Sequence, residues 1–186
     1  MHNFLNIFFK VLPFIFLLSA SCSKHNKFPD EEFKRSYTIE KGATISILKF
    51  NNLKSKEKYD WLNKLLADVL ITNISGVKKF KIILREDLNK VLKEHELSLT
   101  GAIDNKTAVD VGNILGAKYT LIGNYVINKP AINLNIKLVS VEDSLIIGSA
   151  NISGNLNNFS ETEKKLTKEA FNMLGIDEEY GRDNSY

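Results

Sequence analysis

Apolar and polar residues alternate in part along Thr44-Ile45-Ser46-Ile47-Leu48-Lys49-Phe50, which predicts a first strand closed by Asn51-Asn52. The period then changes. Leu62, Leu65, Leu66, Val69 and Leu70 recur at helical spacing, so a helix is expected from Trp61 to Gly76. Trp61 would cover the edge of the core, and Gly76 would end the helix. Phe80-Lys81-Ile82-Ile83-Leu84 reads as a second strand, and strand–helix–strand order implies a right-handed parallel unit. Asp87 to Glu96 predicts a short helix with Leu88, Val91 and Leu92 inward, followed by a loop from Ser98 to Ile103. Asp104 suits the N-cap of the next helix, because its carboxylate can accept from the free amides of the first turn. That helix runs to Leu115, buries Ala108, Val111, Ile114 and Leu115, and is capped by Gly116.

Three strands follow closely, at about 118–127, 131–140 and 145–153. Ile132, Leu134, Ile136 and Leu138 alternate with Asn133, Asn135 and Lys137, the pattern of an antiparallel strand with one wet face. Lys129-Pro130 and Glu142-Asp143-Ser144 form the turns. A last helix is expected to start at Ser160 with Glu163 completing a capping box. It carries Leu166, Ala170, Met173 and Leu174 inward, and Gly175 stops it. The order βαβ, two helices, β-meander, helix predicts an α/β fold of the mixed α+β kind. It would hold a mixed five-stranded sheet with helices packed on it.

The N-terminal end follows another pattern. Lys10 precedes an apolar run from Val11 to Leu18, and Ser19, Ala20 and Ser21 are small. These are the three parts of a secretory signal. The run is too short for a membrane-spanning helix, which needs roughly 20 apolar residues. Cys22, the only cysteine, comes next. At that place it reads as a bacterial lipoprotein cleavage site, so removal of residues 1–21 and acylation of Cys22 are expected. The position three before Cys22 holds Ser19 instead of a large aliphatic residue, and Leu18 lies one step earlier. The alternative is ordinary secretory cleavage nearby, leaving a free thiol. Either way, one cysteine excludes a disulfide within the chain.

Residues 22–40 are then the lipidated cysteine and a polar tether containing Pro29 and Asp30-Glu31-Glu32. About 18 such residues reach roughly 60 Å when stretched. As a flexible coil they span nearer to roughly 20–25 Å. The folded domain is expected over 41–175, with a polar tail at 176–186.

Charge narrows the partners. The net charge of +3 falls by one when Lys10 leaves with the signal. That near balance speaks against a nucleic-acid binder. The lysine clusters Lys54, Lys56, Lys58 and Lys78, Lys79, Lys81 are interrupted by acids or by Phe80, and read as solvated faces.

Catalytic patterns are missing. His95-Glu96 begins like a zinc-protease motif, but Leu99 stands where the second histidine should be. His25 lies in the tether. Gly112, Gly116 and Lys118 have the wrong spacing for a phosphate loop, and no Ser or Thr follows the lysine. Asp104 and Asp110 have ready roles as cap and solvated face. Asn73-Ile74-Ser75 and Asn105-Lys106-Thr107 are glycosylation sequons that fall inside expected helices. No catalytic residue, cofactor or metal site is therefore expected.

One stretch carries more than a fold. It runs from Arg85-Glu86-Asp87-Leu88 through Val91 and Leu92 to the loop at Gly101, then Asp104-Asn105-Lys106-Thr107-Ala108. Gly112-Asn113-Ile114-Leu115-Gly116-Ala117 then leads into a strand ending near Gly123. This succession resembles the curli production assembly/transport (CsgG-type) lipoprotein family, and the likeness extends over residues 43–174. Lys49-Phe50 stands where similar proteins often have Pro-Phe. The resemblance gives the matched residues mostly structural roles. Gly101, Gly112 and Gly116 would permit turns and close packing, Asp104 a cap, and Arg85 either a buried pair or a partner contact.

Pore-forming members add long hairpins to this domain. A membrane strand needs about 9–11 residues with an apolar outward face. Between Gly123 and Gly154 there is room only for the domain's own meander, so a short form without those hairpins is implied. The resemblance further implies an assembly or accessory lipoprotein of an export or surface-structure (curli-like) system, meeting envelope proteins or further copies of itself. Ser23 lacks the aspartate that holds some lipoproteins in the inner membrane, which favours the outer membrane, facing the periplasm. The alternative is an outer-membrane regulator of peptidoglycan synthesis, for which the tether is short.

Overall fold

A computed structural model describes residues 39–54, 57–83 and 104–176. Along them run β1 (Thr44–Ile47), β2 (Asn51–Asn52), α1 (Trp61–Gly76) and β3 (Lys81–Ile82). Then follow α2 (Asn105–Leu115), β4 (Tyr119–Asn128), β5 (Ala131–Ser140), β6 (Ile146–Asn155) and α3 (Phe159–Leu174). The strands form one mixed sheet in the order β3-β1-β4-β5-β6, with β2 also beside β4. β1 is parallel to β3 and β4, as the strand–helix–strand pattern required. β4, β5 and β6 form the antiparallel meander.

The sheet has six strands and not five, because the first strand is interrupted between Ile47 and Asn51. The cause is Phe50. Its buried ring lies against Gly123 of β4, where a Cβ would come within 2.3 Å of a ring carbon. To seat that ring the backbone leaves the ladder, and the Phe50 N–H donates to the Asn63 carbonyl in the first turn of α1 (3.0 Å). Asn51-Asn52 therefore does not close the strand; it rejoins the sheet opposite Asn124 and Tyr125.

Alternation along β4 and β5 divides the core between the two faces of the sheet. Leu121 and Tyr125 with Ile132, Leu134, Ile136 and Leu138 face α1 and α3. Leu62, Leu66, Leu70 and Ile74 meet them from α1, and Leu166, Ala170, Met173 and Leu174 from α3. Leu48, Ile122 and Val139 face the other way and are covered by Ala108 and Val111 of α2. On that second face Ser46 Oγ donates to Thr120 Oγ1 (2.9 Å), so two buried hydroxyls satisfy one another. Helix α2 approaches so closely that a Cβ on Gly112 would lie 2.7 Å from Thr120 Oγ1.

The helix ends follow the sequence in part. Asp104 caps α2 through the Thr107 N–H (2.8 Å), and Gly116 (φ +64) and Gly175 (φ +62) close α2 and α3 in the left-handed conformation. Helix α1 does stop at Gly76, but the left-handed turn falls at Lys78 (φ 53). The Ser160–Glu163 capping box does not form. A short 3-10 turn at Leu156–Asn158 runs straight into α3, which begins at Phe159 and leaves Ser160 inside the first turn. Thr162 anchors that turn instead, its Oγ1 accepting from the Asn155 N–H (3.1 Å).

Two further expectations shift. Trp61 is 57% exposed and does not close the core. Ile114 is 38% exposed, because Gly112 lets the helix lean on Thr120 with its small residues. Ile39 and Ile176 are buried core residues just outside the stretch 41–175. Cys22, Arg85, the expected helix 87–96 and the loop 98–103 lie outside the described residues.

Candidate functional site

The residues considered for chemistry take structural positions wherever they are described. Asp104 is held below the ordinary carboxylate range by the Thr107 N–H that it caps. Lys118 does not approach a phosphate loop; its Nζ pairs with Glu40 Oε2 at 2.5 Å on the surface. Gly116 is a helix cap. Asn73 and Asn105 both lie in helices, as expected. His25 and His95 are outside the described residues, and among the described residues no His/Cys/Asp/Glu group could hold a metal ion. No described helix is long and apolar enough to cross a membrane. The buried hydroxyls of Ser46, Thr120, Ser140 and Thr162 all have hydrogen-bond partners.

What the fold does offer is surface. Where α1 and α3 begin and the β4–β5 turn passes beneath, Tyr59, Trp61, Lys129, Pro130, Leu156 and Phe159 enclose a hollow of ≈ 660 Å³. The Trp61 and Phe159 rings sit 6.3 Å apart at 60°, and Lys129 Nζ lies 5.7 Å over the Tyr59 ring. Trp61 is exposed, while Tyr59 and Phe159 are half-buried against the core, and tryptophan and tyrosine on a rigid base are residue types that anchor protein interfaces. A second depression of ≈ 980 Å³ runs between α1 and α3. Leu65, Val69 and Phe171 supply its apolar lining, and Asn73 Nδ2 donates across it to Thr167 Oγ1 (2.8 Å).

The first surface is held from below by Tyr125. Its buried hydroxyl lies 2.7 Å from the Tyr59 carbonyl and 2.7 Å from the Asn63 side-chain amide. One O–H hydrogen serves one acceptor at a time, so the hydroxyl donates either to the Tyr59 carbonyl or to Asn63 Oδ1. Burial pushes the phenol above its ordinary value. The sign follows from that. A raised folded value favours the protonated form, so the stability is present below the ordinary phenol pKa of about 10 and is lost above it. Tyr125→Phe should cost about 1–2 kcal/mol at pH 7 in urea unfolding. It should also flatten the alkaline decline; an unchanged decline would remove Tyr125 from this role.

Sequence reasoning missed this surface. Trp61 and Leu65 stand one turn apart on the flank of the α1 stripe, and the pattern alone does not say whether that flank is covered. Phe159 comes from the far end of the chain.

The model of the family described as curli production assembly/transport component CsgG matches residues 34–129. The chain belongs to the CsgG family. The match takes in the CsgG-type segment from Arg85 to Gly123, and also Tyr59, Trp61 and Lys129 of the aromatic surface. No curated protein matches the chain.

Among solved structures, the chain is similar to the LpoB C-terminal domain from Escherichia coli (TM-score 0.50, 20% identity, 64% of this chain and 87% of that one). It is similar to lipoprotein GNA1162 from Neisseria meningitidis (TM-score 0.52, 14% identity, 72% of this chain and 96% of that one). It also matches part of TolB from Acinetobacter baumannii (TM-score 0.50, 12% identity, 75% of this chain and 30% of that one). At these identities the likeness establishes a shared fold.

Proposed function

We propose that this CsgG-family protein is a non-catalytic lipoprotein of the bacterial cell envelope. It would serve as an assembly or accessory component of an export or surface-structure (curli-like) system. The family match over residues 34–129 carries this reading. In it, residues 1–21 are removed, Cys22 is acylated, and the tether holds the domain near the outer membrane on its periplasmic side. The aromatic surface around Trp61 and Phe159 meets envelope proteins. The protein would not form a pore by itself. The apolar residues of β5 already fill the core, and Asn133, Asn135 and Lys137 occupy its other face, so the meander has no side to offer to lipid. A regulator of peptidoglycan synthesis is the second reading; the same fold serves it, and the short tether weighs against it.

Cross-linking in intact cells, then purification through a C-terminal tag and mass spectrometry, tests the partner. Links to secretion or surface-assembly components support the first reading, and links to a peptidoglycan synthase install the second. The anchor has its own test. Cys22→Ser should move the protein from the membrane to the soluble fraction and abolish labelling by radioactive palmitate. Unchanged retention and labelling would sink the lipoprotein assignment.

A further inference from the structure

β6 ends the sheet, and among the described residues nothing pairs with its outer edge. Its pairing with β5 is unbroken from Gly148 to Asn155; the only irregularity lies before Gly148. Natural edge strands are commonly protected by lysine, proline, a bulge or shortness. Gly148-Ser149-Ala150-Asn151-Ile152-Ser153-Gly154 has none of these protections and no charge.

That segment is also close to a palindrome. About Asn151 it reads glycine to glycine and serine to serine, with only Ala150 and Ile152 unlike. An antiparallel pair of identical strands is related by a twofold axis normal to the sheet, and such an interface must be self-complementary. With the axis at Asn151, Ser149 stands opposite Ser153 of the second copy, Gly148 opposite Gly154, and Ala150 opposite Ile152. The same register extends a feature of the sheet. Asn51, Asn124, Asn135 and Asn151 form one row across four strands, and Asn135 Nδ2 donates to Asn124 Oδ1 (3.1 Å). The row ends at the free edge, where the twofold supplies another asparagine.

Helix α3 agrees with that axis. It runs antiparallel to β6, with Thr162 over Gly154 and Met173 over Gly148, so its midpoint lies near Thr167 at the level of Asn151. Thr162 and Met173 lie on the outer side of the buried stripe and Ala170 and Leu174 on the inner side, which sets the helix axis inboard of β6 and leaves room for a second helix. The flank turned away from α1 carries Glu161, Lys165 and Glu169. A twofold at Thr167 brings Lys165 opposite Glu169 of the other copy, and the reverse, so unlike charges meet twice.

We propose that β6 is a homodimerisation edge, at which two copies of this chain join their sheets antiparallel about Asn151. The acyl anchor plays no part in this pairing, so its failure would leave the lipoprotein reading standing, and the converse. The test uses the full chain. Asn151→Cys, exposed and on the axis, should give a disulfide-linked dimer in oxidised cells beyond the background of the wild-type chain with its Cys22. Paired Cα atoms about 4.5–5.5 Å apart are within disulfide reach. Ser149→Cys alone should not link, but co-expressed with Ser153→Cys it should. In sedimentation, Asn151→Lys should weaken the dimer roughly tenfold or more, and mixing it with Asn151→Asp should restore it. Circular dichroism of the exposed variants checks that they fold. A wild-type chain that sediments only as a monomer, or a dimer that Asn151→Lys leaves intact, overturns the proposal.

Discussion

Phe50→Ala should remove about 3–5 kcal/mol of unfolding free energy, among the largest losses available in this domain. Phe50 is fully buried, and its ring takes the space that a side chain at residue 123 would fill. The converse substitution follows from the same contact. Gly123→Ala puts a methyl group 2.3 Å from the ring, a distance that real carbon atoms do not tolerate. β4 cannot retreat, because it pairs with β1 and β2 on one side and with β5 on the other. The expected cost is about 1–3 kcal/mol. Together the two changes should not add. In the Phe50→Ala background the methyl group introduced by Gly123→Ala enters the vacated space, so its penalty should shrink to nothing or reverse. Urea unfolding of the four proteins in the cycle measures that coupling. Costs that add within about 0.5 kcal/mol would show that the ring and the glycine do not constrain one another.

The same contact marks where reading the sequence stops. The α1 stripe, the alternation of β5, the Asp104 cap and the Gly116 and Gly175 stops are local patterns, and each reappears in the fold. The break in the first strand is not local. Leu48 and Phe50 look like any apolar strand residues until Gly123, far along the chain, is placed beneath the ring. The start of α3 fails for a similar reason. Ser160 and Glu163 have the spacing of a capping box, but Thr162 meets Gly154 and the Asn155 backbone, and that tertiary contact sets the entry. The aromatic surface joins Tyr59 and Trp61 to Lys129 and Phe159, so no window of sequence contains it. The β6 palindrome can be read from the sequence, but its position on a free edge cannot.

The meander offers the second large effect. Leu134→Ala should cost about 2–5 kcal/mol, while Asn133→Ala, one residue away, should stay within about 0.5 kcal/mol of wild type. The two side chains point to opposite faces of the sheet. Leu134 is buried between β4 and β6 beneath α1 and α3, whereas Asn133 is exposed and accepts only from Ser153 Oγ (3.1 Å). A slip of one residue in register would exchange these environments, so the pair of substitutions reads the register directly. Carried along the strand, the losses should alternate: large at Ile132, Leu134 and Ile136, small at Asn133 and Lys137. Comparable losses on both faces would mean that a second layer covers the asparagine face. The alternation would instead commit the apolar side of β5 to this domain's own core. A strand cannot place the same leucine against α3 and against lipid, so any membrane contact of this protein has to come from elsewhere in the chain.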